Sequence, residues 1–160
     1  MKDFNLSQHF KYSEMVSTSH GEFRKENENN GIGFVPAMRR LCDNALEKIR
    51  SIVGPMTISS GYRCPALNKA VGGSQSSLHL KGRAADIVRP WNDFAGMVTE
   101  TRAAVADLSA RGLLKGFDVV CERSARGGIW VHIEEDDLDY VSPVRFFVKE
   151  EGKATRQLKV

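Results

Sequence analysis

A chain of 160 residues with 41% hydrophobic and 27% charged residues has the length of one domain and an ordinary globular balance. Domains of this size bury about 70% of their unfolded surface without disulfide staples, and Cys42, Cys64 and Cys121, an odd set with no C-x-x-C spacing, exclude a disulfide framework and a thiolate zinc cluster. The net charge of +3 comes from scattered Lys and Arg rather than a basic stripe, which argues against a nucleic-acid partner, and no apolar run approaches the length of a membrane span.

The opening, MKDFNLSQHFKYSE, has no apolar h-region, so the expectation is synthesis in the cytoplasm without a signal peptide, with the cysteines as free thiols. Phe4, Leu6, Phe10 and Met15 are isolated apolar positions that predict an arm packed on the domain, with a short helix near residues 12–16. GEFRKENENNGIG (21–33) is polar and bounded by glycines and reads as a surface loop, so 1–33 form an arm and loop. Pro36 at a helix start, the stripe Met38, Leu41, Cys42, Ala45, Ile49, Ile52 and Val53, and Gly54 as the stop predict a core helix.

MTISSGYR (56–63) begins as a strand and ends in a loop, PALNKAV (65–71) gives one or two helical turns, and SQSSLHLKGR (74–83) has no period and reads as a loop. AADIV (84–88) is a strand and residues 92–111 a second helix. FDVVCE (117–122) and IWVHIE (129–134) flank SARGG as a hairpin with a longer loop. VRFFV (144–148) adds an edge strand, and 150–160 is a solvated, flexible tail. The sum is a single α+β domain over 1–160, helices packed on a small, mostly antiparallel sheet, expected to be a monomer.

Strand alternation assigns faces. Val131 and Ile133 point one way while Trp130, His132 and Glu134 point the other; Asp118, Val120 and Glu122 oppose Phe117, Val119 and Cys121; Asp86 opposes Ala85 and Ile87. Adjacent strands therefore bury one apolar face and present Asp86, Asp118, Glu122 and His132 together on the other. His79 lies on the loop leading to Asp86. Two imidazoles and a carboxylate suit a catalytic zinc, which takes three N/O ligands and keeps one position open. Gly82 and Ala84 leave room beside such an ion. His9 and His20 lack partners at ligand spacing and read as surface residues. Glu134, Glu135, Asp136, Asp137 and Asp139 read as a solvated acidic turn rather than a calcium site.

Ser77-Leu78-His79-Leu80-Lys81-Gly82-Arg83-Ala84-Ala85-Asp86 matches S-x-H-x-x-G-x-A-x-D and resembles the signature of the zinc D-Ala-D-Ala metallopeptidases. That family includes carboxypeptidases, vancomycin-resistance dipeptidases and phage endolysins, on a fold shared with the Hedgehog signalling domain. Trp130-Val131-His132 resembles the segment carrying its last zinc ligand, and Ser59-Ser60-Gly61-Tyr62-Arg63-Cys64-Pro65-Ala66-Leu67-Asn68 is similar to a segment of its short phage-type members. LSQHFKYSE is similar to their opening, and the likeness runs from about residue 5 to 135.

The resemblance implies Zn2+ held by His79, Asp86 and His132, Arg63 on the substrate carboxylate or the oxyanion, and Ser77 hydrogen-bonding near the site. It also implies hydrolysis of a peptide bond in peptidoglycan stems, as a carboxypeptidase or an endopeptidase, at the cell wall after release or as part of a virion. One departure stands out. Relatives carry a catalytic Glu or Asp three residues before the last histidine, and Ile129 stands there. Hairpin registers that keep the apolar faces together place either Asp118 opposite His132 or Glu122 diagonal to it. Glu122 is the favoured general base and Asp118 a partner that orients His132. A non-catalytic, zinc-stabilised wall-binding or virion module is the competing expectation.

Overall fold

Apolar residues too sparse to make a long helix still anchor the N-terminal arm. In the computed structural model, which describes residues 3–136 and 138–160, Leu6, Phe10, Met15 and Val16 are buried in the core, and α1 (Tyr12–Met15) forms where the short helix was expected. The expected loop at 21–33 is instead helical. A 3-10 turn over Gly21–Phe23 leads into α2 (Arg24–Gly31), and a second turn over Ile32–Phe34 follows.

The reason is tertiary. Asn27 is fully buried, its amide donates to the Val16 carbonyl at 2.8 Å and to the Tyr62 carbonyl at 3.0 Å, and its Oδ1 accepts from the Cys64 N–H at 2.7 Å. A buried polar group left unpaired costs about 1–3 kcal/mol, so this one amide locks α2 against two other segments.

The main apolar stripe forms one continuous rod. α3 (Val35–Leu41) starts with Pro36 in its first turn, widens through a π-turn over Cys42–Leu46, and continues as α4 (Glu47–Val53) until Gly54, at φ 86°, ends it. A proline in the first turn forfeits only an N–H that has no intrahelical acceptor. The rod buries Met38, Leu41, Cys42, Ala45, Leu46 and Ile49.

β1 (Thr57–Ser60), α5 (Pro65–Ala70), β2 (Ala84–Val88), α6 (Phe94–Ala110), β3 (Phe117–Arg123), β4 (Ile129–Glu135), β5 (Arg145–Glu150) and β6 (Arg156–Leu158) complete the chain. The helix α6 is capped by Asp93, whose Oδ1 accepts from the Gly96 N–H at 2.7 Å.

The sheet runs β1-β2-β4-β3-β5-β6. β5 lies parallel to β3, and every other neighbouring pair is antiparallel, so the α+β architecture stands with a mixed sheet. Two expectations at the C-terminal end change. β5 is not at the edge, because Phe146, Phe147 and Val148 pair with Leu158, Gln157 and Arg156 of β6, drawn from the segment read as a solvated tail. A strand held by backbone hydrogen bonds at a sheet margin needs no apolar alternation of its own.

Ala85, Ile87, Val119, Cys121, Val131, Ile133, Phe146 and Val148 are buried in the same core as the rod and α6. The period-2 pattern thereby leaves the opposite face of the sheet for polar chemistry. All three cysteines are buried free thiols, and burial pushes those of Cys42 and Cys121 up to about 12, which leaves them unreactive. Among the described residues no helix is long and apolar enough to cross a membrane.

Candidate metal centre

Three chain segments converge at the middle of the polar face. Asp86 sits directly across from His132 in the β2–β4 ladder, and directly opposed residues share a face. His79 enters from the 3-10 turn Leu78–Lys81, which gives local order to the segment read as a loop. One ligand atom from each of His79, Asp86 and His132 lies within 4.8 Å of the others. Nε2 of His79 is 3.5 Å from Oδ2 of Asp86, Nδ1 of His132 is 2.8 Å from Oδ1, and the two rings stand 5.1 Å apart.

The remaining ring nitrogens are occupied by groups outside the cluster. Nδ1 of His79 is 2.7 Å from the Gly61 carbonyl, which can only accept, so that nitrogen donates and Nε2 is left with its lone pair turned inward. Nε2 of His132 is 3.0 Å from Oε2 of Glu134. Two imidazoles aimed inward and one carboxylate form a donor set that fits a divalent cation with an N/O preference.

Burial opposes ionisation of Asp86, but the hydrogen bond from His132, with the His79 ring alongside, outweighs it and holds the carboxyl well below the usual range. Burial likewise opposes charge on His132, and the carboxylates of Asp86 and Glu134 overcome it, raising the ring to about 9. The hydrogen bond from His132 is the main cause that lowers Glu134. Without a cation, the cluster is thus held together by a proton on His132.

Arg63 borders the centre. Its Nη2 donates to Oδ2 of Asp86 at 2.8 Å and its Nε to the Ser60 hydroxyl at 2.8 Å, while its backbone N–H donates to the His79 carbonyl at 3.1 Å. A β-bulge between Ile58 and Ser60 brings Ser60 opposite Asp86, which re-aims the side chain toward the site. Ser77 opens the turn that carries His79, its carbonyl accepting from the Leu80 N–H at 3.2 Å.

Of the two expected registers, the ladder selects the one with Glu122 diagonal to His132, Val120 lying opposite the ring, while several other placements differ from expectation. Asp118 does not orient His132. Both its oxygens are held by Arg145 at 2.6 Å, and Glu134 takes the place beside the ring. Glu122 is 3.2 Å from the Lys149 ammonium.

The acidic stretch is solvated only in part: Asp136 and Asp139 are exposed, but Glu134 and Glu135 are not. Glu135 is fully buried, with Arg83 at 3.2 Å, Arg40 at 3.4 Å and the Tyr140 hydroxyl on its carboxylate, and Asp136 pairs with Arg145 at 2.8 Å. Asp137 lies outside the described residues. Gly82 does not make room beside the cluster: its φ is 63°, and an added Cβ would meet Phe34 Cβ at 3.0 Å and Met38 Cγ at 3.1 Å. His9 is an exposed surface residue whose Nδ1 is 2.7 Å from Glu47. The signal for Glu134 was available, because it lies two residues after His132 and so on the same strand face.

An α+β fold with a His–Asp–His cluster on the polar face of its sheet fits a site that could hold a metal ion. A family model for Peptidase M15 matches residues 8–117, more than half of the chain. The chain belongs to the Peptidase M15 family, whose members are metal-dependent peptidases. No curated protein matches it. The matched segment contains His79 and Asp86 but ends before His132, so β-pairing, independently of the match, completes the cluster.

Proposed function

We propose that this protein is a zinc peptidase that hydrolyses a peptide bond in the stem peptides of bacterial peptidoglycan. The observation that carries the reading is the convergence of His79, Asp86 and His132 from three separate segments, with ligand atoms within 4.8 Å. When bound there, zinc supplies Lewis acidity to the scissile carbonyl and lowers the pKa of water to about 7.

The chain supplies the rest. Arg63 has its guanidinium edge beside the cluster and is suited to hold a substrate carboxylate or a developing oxyanion. Next to it lies a cleft of about 200 Å³ whose lining mixes the hydroxyls of Ser17, Ser19, Ser59 and Ser60 with Leu67 and Val71, suited to the backbone and a small side chain of a short peptide. Ser77, at the start of the His79 turn, adds a hydroxyl for substrate hydrogen bonding.

Proton transfer needs a carboxylate that can be released from its partner. Among the described residues of the polar face, Asp118 is clamped by Arg145 and Glu134 by His132, whereas Glu122 is held by the ammonium of the half-exposed Lys149. Glu122 therefore takes the proton from the attacking water and delivers it to the leaving amine. The protein acts as a monomer at the cell wall, as a lysis enzyme or a virion component.

Digestion of purified sacculi, followed by mass spectrometry of the muropeptides, tests the reading. Chelator-sensitive cleavage by the wild type and its loss in Glu122→Gln are expected. Intact muropeptides after prolonged incubation with the zinc-loaded protein would defeat it.

One observation favours a second reading. Ile129, across from Arg123, occupies the place of the family's catalytic acid. A non-catalytic, zinc-stabilised wall-binding module would bind sacculi and zinc without cleaving, and Glu122→Gln would change neither.

A further inference from the structure

Among the described polar-face carboxylates outside the ligand cluster, each has a partner, and that of Glu134 is unlike the others. Asp118 and Glu122 pair with cations from β5, Arg145 and Lys149. Glu134 instead meets Nε2 of His132 at 3.0 Å, the nitrogen that faces away from Asp86. Its surroundings favour this contact. Across the ladder on one side is Ala84, which has no polar atom to offer, and on the other is Asp118. Like charges directly opposite repel, but Arg145 covers both oxygens of Asp118.

We propose that Glu134 is a positioning residue: it keeps the proton on Nε2 of His132 and so presents the Nδ1 lone pair to the metal. An imidazole offers one nitrogen to a cation only when the other holds the proton, and a carboxylate on that proton fixes both tautomer and ring angle. The spacing suits the task. Residues i and i+2 of a strand share a face, so a carboxylate two positions after the ligand reaches its outer nitrogen without any loop. Glu134 stays outside the ligand cluster and touches no reacting atom. It complements the assignment of Glu122 as base, and it rests on the metal-site reading given above.

Zinc affinity, measured by competition with a chromophoric chelator, is expected to fall roughly 10- to 100-fold in Glu134→Ala. Glu134→Gln, which retains a carbonyl acceptor, recovers much of that loss. Long-range nitrogen–proton NMR of the zinc-loaded wild type is expected to show His132 with Nε2 protonated and Nδ1 on the metal. Unchanged affinity in Glu134→Ala, or a wild-type ring with Nδ1 protonated and Nε2 on the metal, overturns the proposal. The NMR result needs no variant, so it decides even if both variants misfold. Failure of the wild type to bind zinc would instead sink the metal-site reading itself, with this proposal falling as its consequence.

Discussion

Replacing Gly61 by alanine should damage stability and metal binding together. An alanine Cβ at this position would lie 2.3 Å from the Met15 carbonyl oxygen and 2.8 Å from its Cα. Both are backbone atoms, so no side-chain rotation relieves the clash. The neighbouring Tyr62 N–H donates to that same oxygen at 2.7 Å, so separating the segments also breaks a buried hydrogen bond. Forced overpacking costs about 1–3 kcal/mol and the lost hydrogen bond about 0.5–1.5 kcal/mol. A total of about 2–4 kcal/mol corresponds to a fall in Tm of roughly 5–15 °C for a domain of this size.

The same displacement moves the Gly61 carbonyl that fixes Nδ1 of His79, and loss of such an orienting partner typically weakens metal binding 10- to 100-fold, roughly. Thermal denaturation in excess chelator isolates the first effect, and zinc competition at a temperature where the variant is folded isolates the second. A Gly61→Ala protein that melts within about 2 °C of wild type and keeps its zinc affinity would refute the reasoning.

Other outcomes follow from the same geometry. Glu135→Ala removes a fully buried carboxylate that pairs with the largely buried Arg83 and the more exposed Arg40 and should cost about 3 kcal/mol, the low end for a broken buried pair, read by urea denaturation. Zinc should stabilise the chain by about 2.7 kcal/mol at a free concentration 100 times its Kd, so a melt that ignores both zinc and chelator would contradict the site. His132, raised to about 9 in the metal-free chain, carries a proton at pH 7 that a metal on Nδ1 must displace. Calorimetry in buffers of different ionisation enthalpy should show about one proton released per ion, declining as the pH rises through about 9. The sign for metal-free stability is the same: the His132 contribution is full below its unfolded pKa and is lost as pH climbs through about 9.

The cluster was legible because its parts follow local rules. The signature fixes His79 and Asp86 seven residues apart, and period-2 alternation puts Asp86 and His132 on one face, as the ladder shows. Hairpin register was not legible. The loop between Glu122 and Ile129 accommodates more than one pairing that keeps the apolar faces together, and only the folded sheet selects Val120 as the neighbour of His132.

Glu134 and Glu135 were hidden by their company. A run of acids reads as solvated, yet one of these two contacts the site and the other is buried among arginines. Residues 24–31 lack an apolar stripe, so nothing local announces α2. Its order comes from Asn27, whose three partners lie on other segments. Strand β6 was missed for a related reason, since its attachment to β5 is through the backbone.

The facing positions of Asp86 and His132 on neighbouring strands give the cation a second meaning. An ion seated there works as a rivet across two strands whose ligands are separated by 46 positions in the chain. A slip of β4 by a single residue would turn the histidine toward the helices and empty the socket. Occupancy is thus a built-in inspection of strand alignment, and a nascent chain halted before residue 132 holds only a two-toothed fragment of it. The protein becomes competent only when the sheet has closed correctly around its middle.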